Sequence, residues 1–335
     1  MNFKKRIQDP RRQKNMRIRT LIETGIREFF LQESFIEVRT PLLVKSPGME
    51  PHIRPFKLLS GAYLPTSPEF AMKKLLAGGL EKIFQICPAF RNEPISPIHH
   101  PEFTILEWYR THASLQDIMK DVENLIYFLS NKILGTSEMT YKKEKLNLTL
   151  PWPKFKIIDL FQTHVGINLI RCKTLKQMQQ ECKRLDVTVS KKDSWDDLYF
   201  KIWLDHIEPK LPSGRGVFVY DFPPTQSALS IAEKDQDGNL WAKRFEFYLG
   251  GLELGNAFQE LTDPVEQKRR FINDMKLRKK TYGSQFPPNP IDEKFISALK
   301  EGIPQTAGIA VGVDRLVMLF ADEVDIDYTL WLPSM

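Results

Sequence analysis

The residues best suited to chemistry lie in three short segments, and the first joins two predicted strands by a loop. Arg91 follows the first of these strands, and Phe103, Glu107 and Tyr109 lie in the second. Side chains alternate along a strand, so these last three share one face. A carboxylate and a phenol are poor choices for a dry core, because an unpartnered buried charge is costly. The pattern indicates a polar site, and a salt-bridged surface strand is the structural alternative.

The second segment places two carboxylates, Glu246 and Glu253, on neighbouring predicted strands. Mg²⁺ binds one or two protein carboxylates together with phosphate oxygens, so this pair could hold the ion. The small residues Gly255 and Ala257 would let a ligand come close to the backbone. Taken alone, the pair is equally compatible with acidic side chains that are simply solvated.

The third segment, residues 308–316, is a predicted strand that leads into a helix. Gly308 and Gly312 would let a flat ligand lie against the backbone. Arg315, at the start of the helix, could stack on a base or bind a phosphate. The segment is not a P-loop, because the Gly-Lys-Ser or Gly-Lys-Thr that closes such a loop is missing. Glycines that only let the strand pack against the helix are the alternative.

Hydrophobic periodicity predicts the elements that must position these segments. We expect helices over 13–31, 67–76, 115–134, 264–281, 292–300 and 313–320. We expect strands over 35–38, 82–87, 103–109, 216–221, 243–249, 251–257 and 308–312. Residues 141–215 are predicted to form a helical insertion between two halves of one sheet. Strands with hairpin-like neighbours and helices on one side indicate an antiparallel α+β fold, in a single domain over 1–335.

The composition indicates a soluble globular protein of 335 residues, with 42% hydrophobic and 27% charged residues. No apolar run reaches the length of about 20 residues that crosses a membrane, and the N-terminus lacks the apolar stretch of a secretory signal. The three cysteines have no metal-binding spacing. We therefore expect a protein of the reducing cytoplasm, without a membrane partner.

The positive charge of the chain is concentrated at its N-terminus. Residues 1–20 carry eight Lys or Arg residues against Asp9 alone, while the net charge of the whole chain is +6. The remainder is therefore slightly acidic, unlike a protein that coats nucleic acid. We call residues 1–20 the basic arm. Its charge pattern indicates either a solvated helix face or a docking element for an acidic partner.

Together and in this order, the segments resemble the signature motifs of class II aminoacyl-tRNA synthetases. Residues 36–42, with Pro41, resemble the first motif, which forms the dimer interface in that family. Residues 90–109 resemble the second motif and residues 308–316 the third. Two further segments are most similar in sequence to lysyl-tRNA synthetases, namely Thr66-Ser67-Pro68-Glu69 and Glu253-Leu254-Gly255-Asn256. The resemblance implies an antiparallel sheet flanked by helices, ATP as a substrate, Mg²⁺ and a homodimer.

The resemblance also implies a role for each matching residue. Residues expected at ATP are Arg91, Asn92, Glu93, His100, Phe103, Glu253, Leu254, Gly312 and Arg315. Residues expected at the amino acid are Ser67, Pro68, Glu69, Glu107, Tyr109, Asn256, Glu260 and Ala310. Arg91 and Arg315 would be the catalytic residues, and Glu246 and Glu253 would hold Mg²⁺. Several acceptors around one cation would form a lysine-selective pocket, because a neutral analogue would leave them unpaired.

Some residues depart from the tRNA enzymes and match a paralogous family, the elongation factor P lysine ligases. Ile98, His100 and Ala310 stand where Arg, Asn and Gly are usual in lysyl-tRNA synthetases. Residues 107–110 and 308–312 are very similar to the ligases. Because the first-motif helix is predicted to begin near residue 13, we expect no anticodon-binding domain. The resemblance implies that (R)-β-lysine or lysine is joined to a lysine ε-amino group of elongation factor P, with tRNA an unlikely acceptor.

Three other functions are weighed against this one. They are a truncated lysyl-tRNA synthetase, a non-catalytic regulatory paralogue, and a small-molecule amide ligase such as a class II asparagine synthetase. Because elongation factor P is acidic, the basic arm is a candidate docking element. Charge reversal at Arg11, Arg12 and Lys14 should then slow protein modification and spare adenylate formation.

Overall fold

The computed structural model describes residues 3–227 and 229–333. Its helices are α1 (Phe3–Ile7), α2 (Pro10–Gln32), α3 (Glu69–Ala77), α4 (Leu115–Leu134), α5 (Ile157–Val165), α6 (Leu175–Arg184), α7 (Trp195–Ile202), α8 (Pro264–Tyr282), α9 (Glu293–Glu301) and α10 (Val313–Ala321). Its strands are β1 (Ile36–Glu37), β2 (Lys82–Phe90), β3 (Glu102–Thr111), β4 (Glu138–Tyr141), β5 (Glu144–Asn147), β6 (Lys154–Lys156), β7 (Val217–Phe222), β8 (Ala232–Lys234), β9 (Leu240–Leu249), β10 (Leu252–Gln259) and β11 (Thr306–Gly312). No described helix is long and apolar enough to cross a membrane.

Most strands form one nine-stranded sheet in the order β1-β2-β3-β11-β10-β9-β7-β6, with β8 paired to β9. Its centre, from β2 to β7, is antiparallel, and only the edge pairs β1–β2 and β6–β7 are parallel. The predicted α+β class is therefore confirmed. The predicted single domain spans 1–335 and so includes residues 1, 2, 228, 334 and 335, which lie outside the described residues.

One face of the sheet is covered by α2, α4 and α10. Alternation along β3 and β11 turns Leu106, Trp108, Ile309 and Val311 into this layer, where all four are buried. Each large apolar side chain buried in this way stabilises the fold by about 1.5–3 kcal/mol. Because the same alternation sends the intervening side chains to the other face, this packed layer fixes the position of Glu107 and Tyr109.

Several arginines of the basic arm form ion pairs within the chain, and docking of an acidic partner stays a prediction. Arg11 Nη2 lies 2.5 Å from Glu323 Oε1, and Arg12 Nη2 lies 2.7 Å from Asp327 Oδ2. The guanidinium of Arg12 also donates to backbone carbonyls near the C-terminus. Charge reversal at the buried Arg12 would therefore damage the fold, whereas the ion pair of Arg11 lies at an exposed position. Of the three, Lys14 alone is exposed without an ion pair to another described residue.

The predicted helical insertion is only partly helical. Helices α5, α6 and α7 lie within 157–202, around a second apolar core that includes Phe161, Leu198 and Ile202. The preceding residues instead finish a hairpin of β4 and β5 and then form β6, which extends the main sheet next to β7. Strands of three or four residues are too short for a clear alternating pattern, so periodicity did not indicate them.

Candidate active site

Four of the predicted site residues form one row across the open face of the sheet. Glu107 on β3 is opposite Ala310 on β11, Ala310 is opposite Asn256 on β10, and Asn256 is opposite Glu246 on β9. Residues opposite one another project from the same face, and neighbouring strands lie about 4.8 Å apart. The row therefore brings together side chains from segments that are separated by up to 200 residues.

The neighbouring row contains Tyr109, which is opposite Gly308. The Tyr109 ring lies against the backbone of Gly308, and a methyl group there would overlap the ring. Glycine is thus required at 308 for close packing. The phenol of Tyr109 then donates to Glu107 Oε2 at 3.0 Å.

Three buried carboxylates surround one buried ammonium group beside this row. Glu69 starts α3, Glu107 lies on β3, and Glu260 follows β10. Lys73 Nζ lies 2.6 Å from Glu69 Oε1 and 2.5 Å from Glu260 Oε2. Glu107 accepts a hydrogen bond from Ser67 Oγ at 2.5 Å. The cluster therefore holds more negative charge than its single internal cation can balance.

The ionisation of these groups reflects that imbalance. Burial and the charge of Glu69 raise the pKa of Glu107 to about 8. Burial also raises the pKa of Glu260 to about 8, although Lys73 opposes the rise. For Lys73, burial favours the neutral amine, but Glu260 and Glu69 outweigh burial and raise its pKa. A ligand that brings positive charge into this cluster would stabilise the ionised carboxylates.

Arg91 follows β2 and has an unused guanidinium group. Its Nε is buried without a hydrogen-bond partner, and the group forms no ion pair with any carboxylate in the part of the chain that the structure describes. Its guanidinium lies over the Phe103 ring at 5.0 Å from the centroid. A half-buried guanidinium with free donors suits a carboxylate or a phosphate.

Arg315 is held by a different set of partners. It donates to the carbonyl oxygen of Glu253 at 2.5 Å and lies 2.5 Å from Nε2 of His99. Partial burial, Arg315 and Arg91 lower the pKa of His99 to about 4, so its ring is neutral and accepts from Arg315. The structure thus brings Arg91 over Phe103 and directs Arg315 to His99, a residue that the sequence analysis did not select.

Glu246 lies close enough to Glu253 to affect the ionisation of Glu253. Burial and Glu246 raise the pKa of Glu253 to about 7. Glu246 contacts Arg244 through Oε1 and accepts from the phenol of Tyr248 at 2.6 Å through Oε2. The described residues contain no group of three or more metal-binding side chains. Two mutually repelling carboxylates fit an ion such as Mg²⁺ that takes its other ligands from phosphates and water.

The remaining predicted residues lie around this centre. Asn92 is exposed and Glu93 half-buried in the loop after β2, while His100 is buried with Nδ1 unpartnered. Leu254 packs into the core on the opposite face, so only its backbone can reach a ligand there. Ser67 and Pro68 immediately precede α3, and Gly312 ends β11. Asn256 Oδ1 accepts from Arg244 Nε at 3.1 Å.

Two further features were not visible in the sequence. Cys87, Ala89 and Ile105 form a small apolar floor beside Phe103 and Ala310, which suits a flat ring. Arg19 on α2 donates to Asp314 Oδ1 at 2.5 Å and to Thr104 Oγ1 at 2.6 Å. This network fixes the neighbours of Phe103 and Arg315 relative to each other.

The chain matches the family model of class II tRNA synthetases (D, K and N) over residues 2–335. It is 36% identical over 323 residues to the lysine–tRNA ligase of Carboxydothermus hydrogenoformans, covering 95% of this chain and 64% of that protein. It is 34% identical over 324 residues to the lysine–tRNA ligase of Pelotomaculum thermopropionicum, covering 95% and 62% respectively. For the lysine–tRNA ligase of Wigglesworthia glossinidia brevipalpis, identity is 34% over 322 residues, covering 95% and 64%.

The chain thus spans less than two thirds of the length of these relatives. All three are lysine–tRNA ligases, so they give no support to the expectation that tRNA is an unlikely acceptor.

Proposed function

Since this chain belongs to the class II tRNA synthetases that include the aspartate, lysine and asparagine enzymes, and has a lysyl-type catalytic core, we propose that it activates (R)-β-lysine or lysine with ATP. We further propose that it transfers the activated amino acid to a lysine ε-amino group of elongation factor P. The reaction is an AMP-forming ligation that produces an amide bond.

The excess of buried carboxylates over cations is the observation that carries the proposal. Among the described residues, Lys73 is the one cation that pairs with Glu69 and Glu260, and Glu107 forms no ion pair, so the three carboxylates carry two more charges than Lys73 balances when all are ionised. Lysine and β-lysine each carry two ammonium groups. A neutral analogue would leave buried acceptors unpaired, so the pocket should reject it strongly. Glu69 is assigned to the amine nearer the carboxylate, and Glu107, Tyr109, Asn256 and Glu260 to the distal amine.

The substrate carboxylate is assigned to Arg91, whose guanidinium has free donors. The carboxylate is already ionised at neutral pH, so its attack on the α-phosphate of ATP needs no general base. Arg91 would hold both reacting groups together and neutralise the charge that develops between them. Phe103 and the apolar floor would receive the adenine, with Arg315, Asn92, Glu93, His100, Gly312 and the backbone of Leu254 around the nucleotide. Mg²⁺ bound by Glu246 and Glu253 would offset the phosphate charge.

Ala310 is proposed to select between the two lysine isomers. Its methyl group lies in the row between Glu107 and Asn256. The isomers share the same chain length but differ by one carbon in the position of the amine nearer the carboxylate. A methyl group in the floor of the pocket changes the room beside the substrate chain, along which the two isomers place their amines differently.

A homodimer is also part of the proposal. Large apolar side chains are exposed in residues 36–42 and next to them in the sequence, at Leu31 (58% exposed), Ile36 (53%) and Leu43 (64%). Exposed apolar residues that form one patch are typical of an interaction surface. In the family that this region resembles, the first motif forms the dimer interface.

Transfer to tRNA is the second candidate, favoured by the lysine–tRNA ligases among the relatives. The two acceptors can be compared directly. Labelled lysine and (R)-β-lysine would be supplied with ATP and Mg²⁺ to the enzyme and either elongation factor P or bulk tRNA. Label on the protein, and more with (R)-β-lysine, is expected. Label on tRNA alone would establish the second candidate and exclude the first.

A further inference from the structure

Glu50 is a carboxylate at the site to which the reaction described above assigns no task. It lies in a loop that is rigidly held from α8, because Arg278 Nη1 donates to three carbonyl oxygens of the loop. The distances are 3.2 Å to Glu50, 3.2 Å to Pro51 and 2.7 Å to Ile53. A loop with its carbonyls fixed in this way presents its side chains in defined positions.

The loop lies directly beside the residue that is assigned to the reacting carboxylate. The backbone N–H of Asn92, the residue after Arg91, donates to the carbonyl oxygen of Arg54 at 2.7 Å. On its other side, Glu50 lines a cavity together with Ser67 and Glu69. Its carboxylate is thus placed between the amino-acid pocket and α8.

The charges that face Glu50 come from both sides. On the pocket side, burial and Glu69 raise the pKa of Glu50, while Arg91 and Lys73 oppose the rise. The carboxylate is therefore more basic than an exposed glutamate and remains close to two cations. Such a carboxylate accepts a proton more readily than an exposed glutamate does.

On the α8 side, Glu50 is faced by Asp274 and Arg278. Burial and the charge of Glu50 raise the pKa of Asp274 to about 7, against the influence of Arg270. Asp274 is only half-buried. Asp274 is thus a neighbouring carboxylate whose charge and that of Glu50 influence each other.

We propose that Glu50 is the general base that deprotonates the acceptor amine in the second half-reaction. This inference rests on the proposed transfer to a lysine ε-amino group. Such a group has a pKa of about 10.4 and arrives as an ammonium ion, which has no lone pair for attack. One proton passes from its nitrogen to Glu50. The nitrogen lone pair then forms a bond to the carbonyl carbon of the adenylate.

The bond between that carbon and the phosphate oxygen breaks next, and AMP leaves. The second proton on nitrogen goes to the departing phosphate, which gives a neutral amide. No oxidant, reductant or further reactant is required. The first half-reaction does not use Glu50, because the substrate carboxylate is already ionised.

The test is Glu50→Gln, which keeps the size of the side chain and removes the base. Glu301→Gln, on the exposed end of α9, is the matched control. Amino-acid-dependent exchange of pyrophosphate into ATP reports the first half-reaction. We expect exchange to be unchanged and transfer to elongation factor P to fall by about 10²–10³-fold in Glu50→Gln. Capture of the adenylate by hydroxylamine, which is largely uncharged at neutral pH, should match the wild type.

Equal loss of exchange and transfer in a folded Glu50→Gln protein would overturn the inference and make Glu50 a substrate-binding residue. Unchanged transfer would overturn it as well. If the variant fails to fold, Asp274→Asn provides the test. Removal of that neighbouring charge lowers the pKa of Glu50. The low-pH side of the pH profile of the transfer rate should therefore move to lower pH. A profile that does not move would contradict the role of Glu50. A wild-type enzyme that labels only tRNA would instead refute the proposed function.

Discussion

The ammonium group of Lys73 lies 2.5 Å from the carboxylate of Glu260, and both side chains are buried. Lys73 also pairs with Glu69 one helical turn away. The protein thus places a lysine side chain of its own between two carboxylates of the amino-acid pocket. It balances part of their charge and leaves the remainder for the substrate.

Replacement of Lys73 by Met should destabilise the protein. Removing one partner of a buried ion pair leaves uncompensated charge, and we expect a loss of about 3–5 kcal/mol in the free energy of unfolding. Lys74→Met is the control, because Lys74 pairs with Asp292 at a partly exposed position and such pairs contribute about 0–1 kcal/mol. Denaturant unfolding of both variants measures the difference. Equal effects would show that Lys73 has no special electrostatic role.

Lysine affinity should depend on pH through the pocket carboxylates. The pKa values of Glu107 and Glu260 are raised to about 8, and an ammonium ligand binds their ionised forms. Below that pH, binding must displace protons, so affinity should rise as pH increases from about 6 to about 8 and then level off. In Glu107→Gln the slope of log affinity against pH should decrease by about one proton. Calorimetric titration checks this, and a wild-type affinity that does not change with pH would contradict it.

Ala310→Gly should change the preference between lysine isomers. Loss of the methyl group between Glu107 and Asn256 adds room in the floor of the pocket. One carbon more or less in a pocket changes the ratio of the kcat/KM values of two substrates by about 10–200-fold. We expect kcat/KM for lysine relative to (R)-β-lysine to increase within that range, measured by exchange of pyrophosphate into ATP. An unchanged ratio would remove Ala310 from the selectivity of the site.

Charge reversal at Arg12 should lower the stability of the protein, apart from any effect on docking. Arg12→Glu places a negative charge beside Asp327, and we expect a loss of at least about 3 kcal/mol. Lys14→Glu, on the exposed face of the same helix, should be within about 0.5 kcal/mol of the wild type. Thermal unfolding distinguishes them. If Arg12→Glu is as stable as Lys14→Glu and slows only the transfer step, the arm is a docking element after all.

Local pattern was sufficient for most of the fold. The predicted limits of α4 coincide with the observed helix, because an amphipathic repeat is closed by Ser114 and Asp117 at one end and by Gly135 at the other. Alternation along β3 correctly placed Glu107 and Tyr109 on one face. These features depend only on neighbouring residues, so a single sequence contains them.

Contacts between distant residues could not be predicted in the same way. Arg12 and Asp327 are 315 residues apart in the chain. The net charge of residues 1–20 alone therefore indicated a basic surface, whereas in the fold Arg12 forms an ion pair with Asp327. The sequence of α3 predicted a helix and gave no sign that Lys73 would reach Glu260. Glu50 and His99 lie in loops without periodicity, and only the assembled fold shows which groups face them.

The most direct test of the account is amino-acid-dependent exchange of pyrophosphate into ATP, with substrates that differ only in their amines. The account predicts exchange with lysine or (R)-β-lysine. It predicts at least about 10⁴-fold less with norleucine, which lacks the distal amine and would leave the buried acceptors unpaired. Efficient exchange with norleucine, aspartate or asparagine would contradict the claim that the pocket of Glu69, Glu107 and Glu260 recognises a doubly charged amino acid.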